Sequence, residues 1–173
     1  MSFNLFLLSL VILGFLSFFW SKRKAGYIGK KEVLHSLPQY YGYYSLAWFA
    51  APSLIIIFLW LLFSESFVTN QVISLLPESI RALSPNEITL RMNDVKNLAV
   101  GNLIAGESFI GLEQAAANYN RITKLVQDVA IYSSLVLSLA LFIFSYRSIS
   151  GKLRARNKVE KIISNLLLAS ATV

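Results

Sequence analysis

Three stretches of this chain, residues 3–20, 46–63 and 129–146, are almost wholly apolar and carry no charged residue. A bilayer core of about 30 Å takes roughly 20 helical residues at about 1.5 Å each, so each stretch is long enough to span. Hydrocarbon offers no partner for backbone N–H and C=O groups, which leaves the α-helix as the form such stretches take. The expected fold is therefore all-α, with transmembrane helices at 3–20, 46–63 and 129–146. Polar segments divide them: a loop at 21–45, a longer segment at 64–128 and a basic linker at 147–161. A further apolar run at 162–173 is too short to cross as a helix. It is expected to be the truncated start of a fourth helix, making the chain an N-terminal fragment of a longer protein, with an interfacial stub as the alternative.

The polar positions orient this pattern. Lys22, Arg23, Lys24, Lys30 and Lys31 follow the first span against one acid, Glu32. Arg147, Lys152, Arg154, Arg156, Lys158 and Lys161 follow the third, also against one acid, Glu160. Eleven of the sixteen basic residues thus sit in two short segments, whereas the 64–128 segment holds seven acids and five bases. Short Lys/Arg-rich loops stay in the cytoplasm. The expectation is an N-terminus outside, residues 21–45 and 147–161 inside, and residues 64–128 outside. The net charge of +7 is read as topology and contact with anionic lipid, not as nucleic-acid binding. Residues 1–4 carry no side-chain charge and no small-residue cleavage site follows residue 20, so the first span is read as a retained helix and not a signal peptide.

The segments between spans carry their own signals. Pro38 suits the first turn of a helix, and Tyr40, Tyr41, Tyr43, Tyr44 and Trp48 form an interfacial aromatic belt in preference to a ligand cage. Pro52 lies inside the second span, where membrane helices tolerate it with a kink. Ser84, Pro85 and Glu87 have the spacing of a capping box. Ile88, Met92, Val95 and Ala99 then mark one apolar helix face, and Leu112, Ala116, Tyr119, Ile122 and Val126 a second that leads toward the third span. Gly101, Gly106 and Gly111 mark turns between them. The outside segment is expected to be a small helical hairpin, too short for a large core of its own.

Composition narrows the chemistry. The chain is 55% hydrophobic, 14% charged and has a mean hydropathy of +0.58, against about a quarter charged in soluble proteins. It has no cysteine, which removes disulfides, thiolate nucleophiles and thiolate metal ligands. His35 is the single histidine and lies in a basic loop as a solvated side chain. No phosphate-binding GxxxxGK[ST] loop is present, and the spans hold no ionisable group of the kind proton or ion relays use. No catalytic, cofactor or metal site is expected, and no substrate-binding residue is identifiable.

Three strings carry a resemblance: LHSLPQYYGYYSLAW at 34–48, DVKNLAVGN at 94–102 and LRARNKVEK at 153–161. They are similar to the N-terminal extension of PstC-type permeases, subunits of the bacterial phosphate ABC importer, across most of residues 1–168. The resemblance implies a multi-pass protein of the bacterial inner membrane that contributes to phosphate import and is not itself an enzyme. It also implies a second permease subunit, a cytoplasmic ATPase subunit and a periplasmic phosphate-binding protein as partners. In that family the last string leads into the first helix of the transport core, followed by a cytoplasmic coupling loop with an EAA motif. This chain ends before that loop, so no family site residue carries over. Glu113 and the three alanines at 115–117 share letters with the motif but fall on the outside segment without its glycine pattern. The alternative is a standalone three-helix membrane scaffold or assembly protein that transports nothing.

Overall fold

The computed structural model describes residues 2–102 and 110–171, and Gly106 lies outside them. Among the described residues six helices follow one another: α1 (Phe3–Ile28), α2 (Pro38–Leu75), α3 (Glu78–Arg81), α4 (Pro85–Ala99), α5 (Leu112–Arg147) and α6 (Ala155–Ala171). No strand occurs among the described residues. Helices α1, α2 and α5 are each long and apolar enough to cross a membrane. All three run beyond their apolar stretches, because polar residues at either end keep helical hydrogen bonding once outside hydrocarbon. The loop between α1 and α2 thereby shrinks to residues 29–37, and α2 continues through Pro52.

Two compact units divide the chain: residues 1–57 with 131–173, and residues 58–130. In the first unit, α1 and α5 run parallel, since Trp20 stacks near Phe142 (6.3 Å) and Lys24 reaches the Tyr146 carbonyl. Helix α2 runs antiparallel to both, with Trp48 against Phe144 (5.8 Å) and Ser53 against Ser138 (2.5 Å). The buried seam is made of small residues: Gly14, Ser17, Ser21 and Ala25 on α1, Ser45 and Ser53 on α2, and Ser134, Ser138 and Ser145 on α5. Phe6 and Phe49 are buried with them, but many of the large apolar side chains point outward instead; Phe15, Leu54 and Val136 are all more than half exposed. Lipid tails are as apolar as these side chains, so burying them gains little, and close packing of small residues holds such helices together. Ser17, Ser134 and Ser145 turn their hydroxyls back onto carbonyls of their own helices. The Ser53 and Ser138 hydroxyls bond to each other between α2 and α5.

The tightest approach lies at Gly42. A Cβ there would sit 2.6 Å from the Phe18 ring and 3.0 Å from the Phe18 carbonyl oxygen. Gly26, also helical, has nothing within 4 Å of its virtual Cβ.

The second unit has a core of conventional apolar type. Val68, Val72 and Leu76 extend the α2 stripe at spacings of four and meet Met92 and Val95 from α4 and Leu112 and Ala115 from α5. The expected faces of α4 and α5 are the ones that pack here: Met92 and Val95 are buried, and Tyr119, Ile122 and Val126 lie against the cluster. The hairpin is thus completed by the last three turns of α2, which the polar Ser64, Glu65 and Ser66 obscure in the sequence. Pro77 opens the one-turn α3, whose Arg81 donates to the Leu76 carbonyl at 3.0 Å. Gly101 (φ 81°) and Gly111 (φ 94°) adopt the left-handed backbone that only glycine takes without strain. Lys96 pairs with Glu65 at 2.7 Å across α4 and α2, an exposed contact that solvent screens.

Helix α4 starts with the expected capping box, Ser84 at the N-cap and Pro85 in the first turn. The Glu87 carboxylate accepts from the Ser84 hydroxyl at 2.7 Å and from its backbone N–H at 3.0 Å. Those bonds, the hydroxyl's foremost, hold the Glu87 carboxyl below its usual range.

Two outcomes follow for stability. Gly42→Ala is expected to destabilise the helix bundle by about 1–3 kcal/mol through overpacking. Gly26→Ala should be neutral or stabilising by up to about 1 kcal/mol, as read by thermal unfolding in detergent. The depressed Glu87 carboxyl stabilises the folded form above the ordinary carboxylate pKa, and that contribution is lost as pH falls through the depressed value. The melting temperatures of wild type and Glu87→Gln are therefore expected to differ at neutral pH and converge in acid.

Candidate functional site

Charge separates between the units. Residues 1–57 and 131–173 hold eleven basic residues and two acids, a net +9, while residues 58–130 hold five and seven, a net −2. Within the first unit every one of those charges lies at a single end, where α1 stops at Ile28, α2 begins at Pro38 and α5 stops at Arg147. The parallel course of α1 and α5 is what brings their two basic segments to the same level.

A second cluster organises this end. Ala25, Tyr41, Tyr44, Ile149, Ala155 and Val159 are buried together, with Leu34, Tyr40, Trp48 and Leu153 packed around them. The strings at 34–48 and 153–161 therefore meet face to face. Two polar contacts lock the join, and a third closes the end of α5 beside it. The fully buried Tyr41 donates its hydroxyl to the Leu153 carbonyl at 2.9 Å. The backbone N–H of Arg156, in the first turn of α6, donates to the Ser36 hydroxyl at 3.2 Å. Ser36 thus caps α6 from a distant part of the chain, satisfying one of the donors a helix start leaves open. Lys24 donates to the Tyr146 carbonyl at 2.6 Å and lies 4.4 Å from the centre of the Tyr146 ring, closing the C-terminal turn of α5 with a cation as the helix dipole favours.

The tyrosines serve several ends at once. Tyr41 and Tyr44 are buried in the join, Tyr43 lies beside Phe18 (5.0 Å) and remains half exposed, and Tyr40 has the Arg156 guanidinium 5.9 Å from its ring centre. The belt expected from the sequence is therefore partly the socket for the segment after α5. Residues 154–161 are not a free linker: Ala155 and Val159 are buried, and α6 takes in both the basic residues and the apolar run that follows. His35 is exposed in the loop, and Glu113 is exposed in the first turn of α5, within the second unit. Lys24, Ser36 and Leu153 escape sequence reading because all three contacts use backbone groups and join residues more than 100 positions apart.

The architecture defines a helical membrane protein whose two units differ in charge and whose basic end is a packed structure. The chain belongs to the phosphate ATP-binding cassette transporter family, whose model matches residues 7–173. No curated protein and no solved structure matches it. Membership places it among transporters that work with partner subunits.

The Tyr41 contact is open to direct measurement. Tyr41→Phe is expected to cost about 1 kcal/mol, the net value of one hydrogen bond, and to raise amide exchange at 153–157 while α4 is unaffected. Unaltered exchange there would show that apolar packing alone holds α6.

Proposed function

We propose that this chain is the N-terminal membrane region of the permease subunit of a bacterial phosphate importer. Its place is the inner membrane, with the N-terminus and residues 64–128 on the periplasmic side and the segments at 21–45 and 147–161 in the cytoplasm. The observation that carries this reading is the join between 34–48 and 153–161, considered with family membership. Both strings resemble the permease extension, and their contact sets how the chain leaves the first unit toward a transport core. Its role is to anchor and pack beside that core; ATP hydrolysis belongs to a separate subunit. The partners are the second permease subunit, that ATPase, the phosphate-binding protein and membrane lipid. The net +9 of the first unit supports the cytoplasmic assignment, because Lys and Arg near the ends of spans resist export.

The cysteine-free sequence makes the orientation simple to test. Ser79→Cys is expected to react with a membrane-impermeant maleimide in intact spheroplasts, and Ser150→Cys only after lysis; the reverse pattern overturns the topology. Removing the coding region in its bacterial host is expected to abolish high-affinity inorganic phosphate uptake. Uptake at the wild-type rate would point to the scaffold reading instead.

A further inference from the structure

Along the last two turns of α5 runs a groove of about 400 Å³ lined by Ala140, Ile143, Phe144, Arg147 and Ser148. Its wall is apolar and outward-facing: Ile143 is 48% exposed and Phe144 56%. The Phe144 ring is held edge-on to Trp48 at 5.8 Å, so that wall is preformed. Its far end is cationic. Arg147 is exposed and has no carboxylate within salt-bridge distance among the described residues. The two acids of this unit are placed elsewhere: Glu160 is bonded to Arg156 at 2.6 Å, and Glu32 lies against Gly151. The neighbouring Ser148 hydroxyl is turned back onto the Phe144 carbonyl at 2.9 Å, so the guanidinium is the groove's free donor group.

An apolar surface groove that ends in a guanidinium with no carboxylate beside it among the described residues fits an amphiphile with an anionic head. The charge around it has the same sign, since the unit carries a net +9 at this end. We infer that this groove is a binding site for an anionic phospholipid, its phosphodiester on Arg147 and one acyl chain along Ile143, Phe144 and Ala140. A guanidinium takes two phosphate oxygens at once through parallel N–H donors, which a neutral residue of similar length cannot do. The choline group of a zwitterionic lipid would add a cation beside Arg147 and the other basic residues, so net anionic lipids are preferred. Inorganic phosphate shares the head-group chemistry but makes no contact with the apolar wall. The occupant is therefore the lipid and not the free anion. This inference rests on the membrane reading and is independent of the permease reading.

Native mass spectrometry of the full chain in detergent tests it, with phosphatidylglycerol, phosphatidylcholine and inorganic phosphate as probes. The expected result is one retained phosphatidylglycerol bound several-fold better than phosphatidylcholine and not displaced by millimolar phosphate. Arg147→Gln should weaken that retention about fivefold, on the scale of one basic residue's attraction to an anionic surface. Arg121→Gln, in the other unit, should leave it unchanged. Ile143→Ser keeps the guanidinium and opens the wall, and is expected to weaken phosphatidylglycerol retention as well. Circular dichroism checks that each variant keeps its helices. Equal retention by Arg147→Gln and wild type overturns the proposal, as does equal binding of the two lipids or displacement by phosphate.

Discussion

Close approach of helix backbones is the constraint on which the first unit depends. Apolar side chains gain almost nothing by leaving lipid for protein, so the bundle is held by dispersion between surfaces that fit and by a few interhelical polar contacts. Gly42 admits the Phe18 ring at a distance no other residue allows. Buried serines and Ala25 continue the seam of small residues on either side of it. Lengthening any of these side chains pushes the helices apart at the point where attraction falls off fastest. The second unit follows different rules, with Val68, Val72, Met92 and Val95 packed as in an ordinary apolar core. That difference fits its composition, since α4 alternates charged and apolar positions as a helix in water does.

The basic end links this packing to function. Lys24, Ser36 and Tyr41 each engage a backbone group around the end of α5 or the start of α6. Backbone contacts tolerate change in the residue they hold but not in its position, so they define where α6 starts. The result is a defined exit path from the three-helix unit, with α6 capped and seated.

Much of this was legible beforehand, and the reasons are specific. Three uncharged apolar stretches can only be helices in hydrocarbon, so α1, α2 and α5 follow from solvent physics with no knowledge of packing. The Ser84–Glu87 box and the face of Met92 and Val95 depend on residues three or four apart, which a linear reading captures. The helical extension of α2 to Leu75 was hidden, because three polar residues interrupt the pattern before Val68 resumes it. α3 was hidden also, since a single turn carries no periodicity. The serines of the seam were unreadable as such, because a serine in an apolar run looks like any small residue until its neighbours are known.

What the linear order of residues determined by itself was the set of elements and their charge. Both depend on short-range properties, namely apolar length, capping spacing and the positions of Lys and Arg. Only the tertiary structure decided which faces meet: the parallel pairing of α1 with α5, the fit of Gly42 to Phe18, and the seating of 153–159 on the tyrosines of α2. Those choices turn on sub-ångström fit and on backbone groups that every residue carries alike, so no residue's identity announces them. The groove at Arg147 belongs with them, since the contact of Phe144 with Trp48 and the absence of a carboxylate beside Arg147 among the described residues are both tertiary facts.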